Sequence, residues 1–304
     1  SLMAGFFGFF DYSKPGRGIS KDEPQKTGIA LYFDILLRRF WKFITLNLLY
    51  LLFSVPAIAV IFFLSSEAVM RLASAVLDFS KISVDESRAL LMLTAALAAI
   101  VFAIFGSGAA SGAFSYVMNN YVNDRHSWIW SDFWEHLKKN FIQGTVVFVI
   151  DMVALVLFSV SLYFYSYCMP QKYLSLALRS VVVAVFLVFL MMHMYMYPIM
   201  AVFKLKIKDI YRNSLLLVMA RLPWNFLAFA VSGGVLAALV YASLVFGIGI
   251  LLFLFIGFAL VGYTQMFMTN NIVKKYMLEP ALAMENRDRK KHEDEESVFE
   301  DATV

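Results

Sequence analysis

The chain has 304 residues, of which 61% are apolar and 16% are charged, and its mean hydropathy is +0.72. A soluble protein of this length needs more charge to cover its surface, so these values exclude an ordinary soluble globular domain. The single cysteine, Cys168, excludes a disulfide within this sequence and a cysteine-based metal cluster. Apolar runs of about 20 residues, long enough to cross a bilayer as a helix, recur along the chain. The sequence therefore predicts an all-α, polytopic membrane protein.

Six membrane spans are predicted along the chain. In order, they lie at about 41–64, 90–117, 142–165, 175–203, 226–246 and 249–268. The last two come from one apolar stretch, 226–268, which is too long for a single helix. The segment Gly247-Ile248-Gly249 is the expected turn within this stretch. The alternative is one span followed by a re-entrant segment.

Three regions follow from these spans. Residues 1–39 form a cytoplasmic N-terminal segment, and residues 40–278 form the six-span helical domain. Residues 279–304 form a tail with many charges and few large apolar side chains. This composition predicts a solvated, disordered cytoplasmic segment.

Lysine and arginine are distributed unevenly between the two sides of the predicted bundle. If both termini are cytoplasmic, 21 of the 26 basic residues lie on the cytoplasmic side, in segments 1–42, 119–140, 204–224 and 269–304. The positive-inside rule therefore predicts a multi-pass protein of the plasma membrane with both termini in the cytoplasm. Because this topology accounts for the basic face, nucleic acid is not an expected partner.

The segment 132–141 is predicted to be a short amphipathic helix in the inner membrane interface. On a helical wheel, one arc of about 100° holds the apolar side chains, and the charged side chains lie opposite. The apolar arc consists of Phe133, Trp134, Leu137 and Phe141. Asp132 is the expected N-cap, because a glutamate follows it three positions later as in a capping box.

A metal site is the alternative interpretation of the same segment. Asp132 and His136 are four residues apart and share one face of a helix. A metal needs three or four ligands, however, and His126 would lie on the opposite face of a continuous helix. No metal is therefore expected here.

A second short amphipathic helix is predicted between the fourth and fifth spans, within residues 204–226. Lys208, Asp209 and Asn213 are its polar residues, and Asp209 is the expected cap. The apolar stripe consists of Leu215, Leu216, Met219 and Leu222. Pro223 is expected to end the helix.

Four polar side chains stand out inside the predicted spans: Asn47, Asp151, His193 and Gln265. Ionisable groups in a bilayer are costly unless they are paired, so they mark candidate functional sites. Asp151 lies about nine residues from the inner end of the third span, and His193 lies about ten residues from the inner end of the fourth. Both therefore lie at matching depth near mid-membrane, and we predict that they contact each other. Two roles stay open: a structural hydrogen bond, or a part in proton or solute transfer.

Small and helix-bending residues also occur within the spans. Gly106, Gly108 and Gly112 in "FGSGAASGAF" predict a face for close helix packing. Pro198, in the fourth span, predicts a kink.

Four stretches of the chain resemble one known family. They are "GFFGFFDYSKPGRGISKDEP", "RRFWKFITLNLLYLLFSVP", "HSWIWSDFWEHLKKNF" and "YPIMAVFKLKIKDIYRNSLL". They resemble the YesL-like membrane proteins, a family with a domain of unknown function (624), and specifically members of the clostridial type. The resemblance implies a multi-span protein of a bacterial plasma membrane, in a family often associated with carbohydrate utilisation and sugar import by ABC transporters. It supplies no catalytic residues.

Two functions agree with these observations. The first is a non-enzymatic accessory or regulatory protein beside a carbohydrate ABC importer, with the two short helices as its docking surface. The second is a small secondary transporter or channel that uses Asp151 and His193. The sequence contains no recognisable catalytic constellation, so we expect neither an enzyme nor a cofactor. The expected partners are the lipid bilayer and sugar-importer subunits, and a homo-oligomer is compatible with the sequence.

Overall fold

The computed structural model describes residues 26–64, 108–246, 249–287 and 289. Within these ranges the backbone is helical apart from short connections, and no strand occurs. The chain divides into two units, residues 1–38 and residues 39–304. In the described part of the first unit, α1 (Gly28–Arg38) carries an ion pair between Lys26 and Asp34.

The helices of the second unit follow one another with short connections. They are α2 (Phe40–Leu64), α3 (Ala109–Val122), α4 (Ile129–Lys139), α5 (Phe141–Tyr163), α6 (Lys172–Val202), α7 (Ile207–Ala220), α8 (Leu222–Phe246), α9 (Gly249–Leu252) and α10 (Phe258–Val273). Three π-helical turns extend or join them: Phe164–Cys168 after α5, Phe253–Gly257 between α9 and α10, and Lys274–Leu278 after α10.

Four helical stretches of the described residues are long and apolar enough to cross a membrane. They are Phe141–Cys168, Lys172–Val202, Leu222–Ser243 and Phe253–Arg287. A shorter apolar helix covers Phe40–Val55. These helices show an all-helical protein of membrane type. Six spans remain a prediction, because most of the second predicted span lies outside the described residues.

The last helix runs further than the sequence analysis expected. The apolar stretch 226–268 forms two separate helices that pack against each other, α8 and the helix that contains α10. The expected turn at Gly247 and Ile248 lies outside the described residues. The second helix continues to Arg287 and so passes residue 279, where the disordered tail was expected to begin. Residues 288 and 290–304 of that tail lie outside the described residues.

Polar contacts connect several helix termini at one end of the bundle. We call this part of the bundle the basic end. Arg39, before α2, pairs with Asp124, after α3, at 2.6 Å. The side chain of Gln143 in α5 donates to the carbonyl of Leu205, after α6, at 2.9 Å. The indole of Trp224 in α8 donates to a carbonyl of α10. The basic end thus includes Arg39, the residues after α3 and the residues after α6, and the positive-inside rule predicts that it faces the cytoplasm.

Two glycines allow α3 and α5 to approach closely at the start of α3. A Cβ atom on Gly144 would lie 2.5 Å from the backbone nitrogen of Ala109. Gly108 has a φ of +65°, and a Cβ atom there would lie 2.6 Å from the carbonyl oxygen of Gly144. Neither position accepts a side chain without moving backbone. Gly112 also packs against Asn140, the residue before α5, while Gly106 lies outside the described residues.

The first short helix, α4, begins three residues earlier than expected, so the prediction of Asp132 as N-cap is wrong. Trp128 occupies the N-cap position, with no side-chain cap. Asp132 instead reaches back over the first turn, where its Oδ2 accepts from the Ser127 hydroxyl at 2.6 Å and from the Trp128 backbone N–H at 2.9 Å. Asn140 breaks the helix, so Phe141 belongs to α5.

The second short helix, α7, also differs from the prediction at both ends. It begins at Ile207, which places Asp209 inside its first turn, where a carboxylate interacts favourably with the helix dipole. Pro223 does not end this helix. It is the second residue of α8, where proline costs little because the first-turn N–H groups have no helical acceptor. The end of α7 is fixed by Asn225, whose amide donates to the carbonyls of Leu217 and Val218 at 2.9 and 3.0 Å.

Candidate functional site: a buried Asp–His–Tyr cluster

Asp151 and His193 are in contact in the interior of the bundle. Nε2 of His193 lies 2.8 Å from Oδ1 of Asp151, and each residue is 2% exposed. Asp151 is ten residues into α5, and His193 is nine residues before the end of α6. At 1.5 Å per residue, both lie about 15 Å from the basic ends of their helices. The depth comparison made from the sequence thus agrees with the structure, while the role of the contact stays a prediction.

Two tyrosines complete the surroundings of the Asp151 carboxylate. The hydroxyl of Tyr197, on α6, lies 3.4 Å from Oδ2, and that of Tyr211, on α7, lies 3.4 Å from Oδ1. Both are long, weak hydrogen bonds. Burial, and then the neighbouring Asp151 carboxylate, raise the pKa of Tyr211 above its ordinary value of 10.0, so this phenol remains a neutral donor. The cluster therefore joins three helices through one carboxylate.

Neither tyrosine was among the residues predicted from the sequence. Tyr197 had a local signal, because it follows His193 by four residues and so lies on the same face of α6. Tyr211 had no such signal. It reaches Asp151 only because α7 folds back along α6 instead of extending away from the bundle.

The contacts of His193 determine how many protons the pair holds. Nδ1 lies 2.9 Å from the carbonyl oxygen of Phe189, which can only accept, so Nδ1 carries a hydrogen. Nε2 and Oδ1 would repel each other at 2.8 Å if both were unprotonated. One proton therefore belongs to this contact, and the pair has no net charge, either as carboxylate with imidazolium or as carboxylic acid with imidazole. A neutral pair is the form that a buried site in a bilayer tolerates.

A small cavity adjoins the pair on the side of His193. Its volume is about 50 Å³, and its polar lining consists of Tyr50, Ser111, Ser115, His193, Tyr197 and Gln265. Among the described residues, Nε2 of Gln265 has no hydrogen-bond partner, although the residue is only 7% exposed. A buried amide N–H normally has an acceptor, and a polar space of this size holds a few water molecules. The cavity is thus suited to water.

Asn47, the remaining polar residue singled out from the sequence, stabilises a π-helical turn. Its Nδ2 donates to the carbonyl of Leu254 at 2.6 Å, and its Oδ1 accepts from the backbone N–H of Ala259 at 2.9 Å. Leu254 lies within the turn Phe253–Gly257 and Ala259 lies two residues after it, where the regular helical hydrogen bonds are interrupted. Asn47 is fully buried, so its role here is structural.

The predicted interfacial residues of α4 have different environments. Phe133 is fully buried and Leu137 is 8% exposed, and the rings of Phe133 and Trp134 both contact Phe53 of α2. Trp134 is 41% exposed, and Phe141, now on α5, is 59% exposed. The centre of the apolar arc, Phe133 and Leu137, is therefore buried in the bundle, and its edges, Trp134 and Phe141, are exposed.

The polar residues of α7 lie at the surface or near it. Lys208 is exposed, and Asp209 and Asn213 are partly exposed. The buried face of this helix consists of Ile210, Ser214, Leu217 and Val218. The expected stripe is therefore displaced, because Leu215, Leu216 and Met219 are exposed. Those three side chains are available to lipid or to a partner.

His136 is held by local contacts. Its ring stacks on Tyr116 of α3, and its Nδ1 lies 3.0 Å from the backbone carbonyl oxygen of Asp132. Across residues 26–64, 108–246 and 249–287, no group of three or more His, Cys, Asp or Glu side chains is placed to hold a metal ion.

Comparison with known families gives one match. A family model described as "Protein of unknown function, DUF624" matches residues 43–162. We call the matched residues, 43–162, the DUF624 segment. This family and the YesL-like family are the same, so the resemblance stated from the sequence is confirmed over that segment. The clostridial type stays a prediction. No curated protein and no solved structure matches the chain.

The DUF624 segment contains only part of the buried cluster. It runs from α2 to the end of α5 and includes Asn47, the close approach at Gly144, and Asp151. His193 and Tyr211, which contact the Asp151 carboxylate, follow it in α6 and α7. The buried site therefore combines the DUF624 segment with the helices after it.

Proposed function

We propose that this protein is a non-enzymatic accessory or regulatory component of a bacterial plasma membrane, associated with a carbohydrate ABC importer. The two short helices, α4 and α7, are its docking surface. The observation that carries the proposal is that both helices bury one face in the bundle and leave large side chains exposed on the other.

The exposed side of α4 combines aromatic and charged groups. Trp130 is 65% exposed and Trp134 is 41% exposed, and the ammonium of Lys138 lies 4.8 Å from the centre of the Trp134 ring. Tryptophan is enriched at the centres of protein interfaces and also at membrane interfaces. On α7, Leu216 and Met219 are each 56% exposed. Side chains of this kind support association with a membrane-embedded partner.

A second candidate function is a small transporter or channel that uses Asp151 and His193. The contact between these two ionisable groups near mid-membrane favours it, because such groups often mark the path of an ion or proton. The cavity beside them, at about 50 Å³, has room for a few waters but not for a sugar. We therefore rank carbohydrate transport by this protein alone below the accessory role.

Transport and association can be tested separately. The purified full-length protein in liposomes should take up neither radiolabelled maltose nor radiolabelled glucose, with or without a proton gradient. Robust uptake by the protein alone would remove the accessory role and favour the second candidate.

Photo-crosslinking tests the docking surface. A photoreactive phenylalanine analogue at Ser131 on α4, or at Asn213 on α7, should crosslink to the permease subunits of a co-expressed carbohydrate ABC importer. The matched control is Val153, which is 55% exposed on the apolar surface of α5. Crosslinks of equal yield from Val153, or none from the two short helices, would contradict the proposed docking surface.

A further inference from the structure

A second cavity lies between the buried cluster and the basic end of the bundle. Its volume is about 80 Å³, and its polar lining consists of Asn119, Asn123, Arg125, Thr269, Asn270 and Lys274. Asn123 and Asn270 hydrogen-bond to each other across it, from Nδ2 of Asn270 to Oδ1 of Asn123 at 3.0 Å. Because its walls carry amides and two cationic side chains, this outer cavity can hold water.

The two cavities meet at the same two residues. Pro198 of α6 and Met266 of α10 line both of them. Pro198 has no N–H, so it leaves the carbonyl of Met194 without its usual helical donor, and Met194 lines the inner cavity. Met266 has an unbranched side chain with several rotatable bonds, which lets it move aside. The two cavities are therefore separated by the unbranched side chain of Met266, which lies beside Pro198.

A hydroxyl connects the inner cavity to the carboxylate. Tyr197 lines the cavity, and its hydroxyl lies 3.4 Å from Oδ2 of Asp151. A water molecule in the cavity would extend this contact into a chain of water, the Tyr197 hydroxyl and the carboxylate, in which each oxygen can accept one proton and give up another. The buried amide of Gln265 supplies an anchoring group for that water.

We propose that Asp151 and His193 form a proton-binding site that exchanges protons with the basic end of the bundle through these two cavities. In the uptake direction, which starts from the pair after it has released its proton, Tyr197 transfers its hydroxyl proton to Oδ2 of Asp151 and takes a proton from a hydronium ion in the inner cavity, which leaves water and restores the neutral pair. Release follows the same steps in reverse. The proposal does not depend on association with a sugar importer.

The charged and titratable groups around this path are few among the described residues. Tyr197 of α6 and Tyr211 of α7 face the carboxylate. Tyr50 of α2 lies across the inner cavity, and the cations Arg125 and Lys274 line the outer one. A phenol is ordinarily neutral below about pH 10, so these tyrosines act as neutral hydroxyls along the path.

Infrared spectroscopy of the full-length protein in lipid nanodiscs tests whether the pair titrates. Between about pH 4 and about pH 10, a carboxyl or imidazole band should change with pH. That change should be absent from both Asp151→Asn and His193→Gln. If the pH-dependent bands of the native protein all persist in both variants, so that no band belongs to the pair, the proposal is overturned.

Infrared detection after a rapid pH jump tests the route. Met266→Trp should fill the junction between the cavities and slow the protonation of the pair by about tenfold or more, while the midpoint of the titration stays near its native value. Val156→Trp, on the exposed side of α5, is the matched control and should leave the rate unchanged. If Met266→Trp does not fold, Ser115→Leu fills the inner cavity instead. Native rates in both filled variants would show that protons do not use this path.

Discussion

The substitution Gly144→Ala tests the close approach of α3 and α5. The new Cβ atom would lie 2.5 Å from the backbone nitrogen of Ala109 and 2.7 Å from its Cα atom. Ordinary contacts between such atoms begin near about 3.4 Å, so the helices must separate by about 1 Å. Because the obstructing atoms are backbone, no side-chain rotation can relieve the overlap.

The expected cost follows from two opposing effects. Overpacking in a close-packed interior costs about 1–3 kcal/mol, and a backbone obstruction belongs at the upper end of that range. Alanine in place of glycine within a helix stabilises by about 1 kcal/mol. We therefore expect Gly144→Ala to lower the free energy of unfolding by about 2 kcal/mol.

Matched controls exist on the same chain. A Cβ atom on Gly233 of α8 would meet nothing within 4 Å, so Gly233→Ala should be neutral or stabilise by up to about 1 kcal/mol. A Cβ atom on Gly262 of α10 would lie 2.6 Å from the ring of Phe114, which is a side chain and can shift. The stability of Gly262→Ala should therefore lie between the stabilities of Gly233→Ala and Gly144→Ala.

Unfolding of the purified variants in mixed detergent micelles, followed by tryptophan fluorescence, measures this series. We expect the order Gly233→Ala, Gly262→Ala, Gly144→Ala from most to least stable. If Gly144→Ala is as stable as Gly233→Ala, the helices do not approach each other as described.

Three further substitutions have definite expected outcomes. Asp151→Leu should lower the free energy of unfolding by about 3–5 kcal/mol, because it leaves His193 buried without its carboxylate partner. Asp151→Asn should fold normally. In the same micelle assay, the double variant Asp151→Leu with His193→Leu should recover most of the loss. Pro223→Ala should change stability by no more than about 0.5 kcal/mol, because proline in the first turn of α8 replaces no hydrogen bond; a large loss would mean that the helix boundary is elsewhere. In a Cys168→Ser background, a cysteine at Ser131 should resist an impermeant thiol reagent in intact cells and react after lysis, whereas rapid labelling of intact cells would reverse the predicted topology.

The corrected helix boundaries show where local sequence rules stop. Asp132 and Asp209 both have the residue type and position of an N-cap, yet each lies inside its helix. Backbone conformation at Trp128 and Lys206 sets the two starts, because both residues are extended immediately before the first helical turn. Capping preferences indicate which residues can begin a helix, but the backbone conformation before the helix decides which of them does.

The sequence by itself determined the class of the protein, the position of most apolar helices, and the contact between Asp151 and His193. These follow from hydropathy, which is summed over a span, and from the fixed rise of a helix, which converts residue counts into depth. Two parts of the site depended on tertiary structure alone: the approach of Tyr211, and the two cavities that meet at Pro198 and Met266. Each brings together residues from helices far apart in the chain, and their positions depend on how α7 and α10 pack against α6. The angles and positions at which helices pack depend on how their whole surfaces fit together. The periodicity of apolar residues within a single helix does not specify that fit.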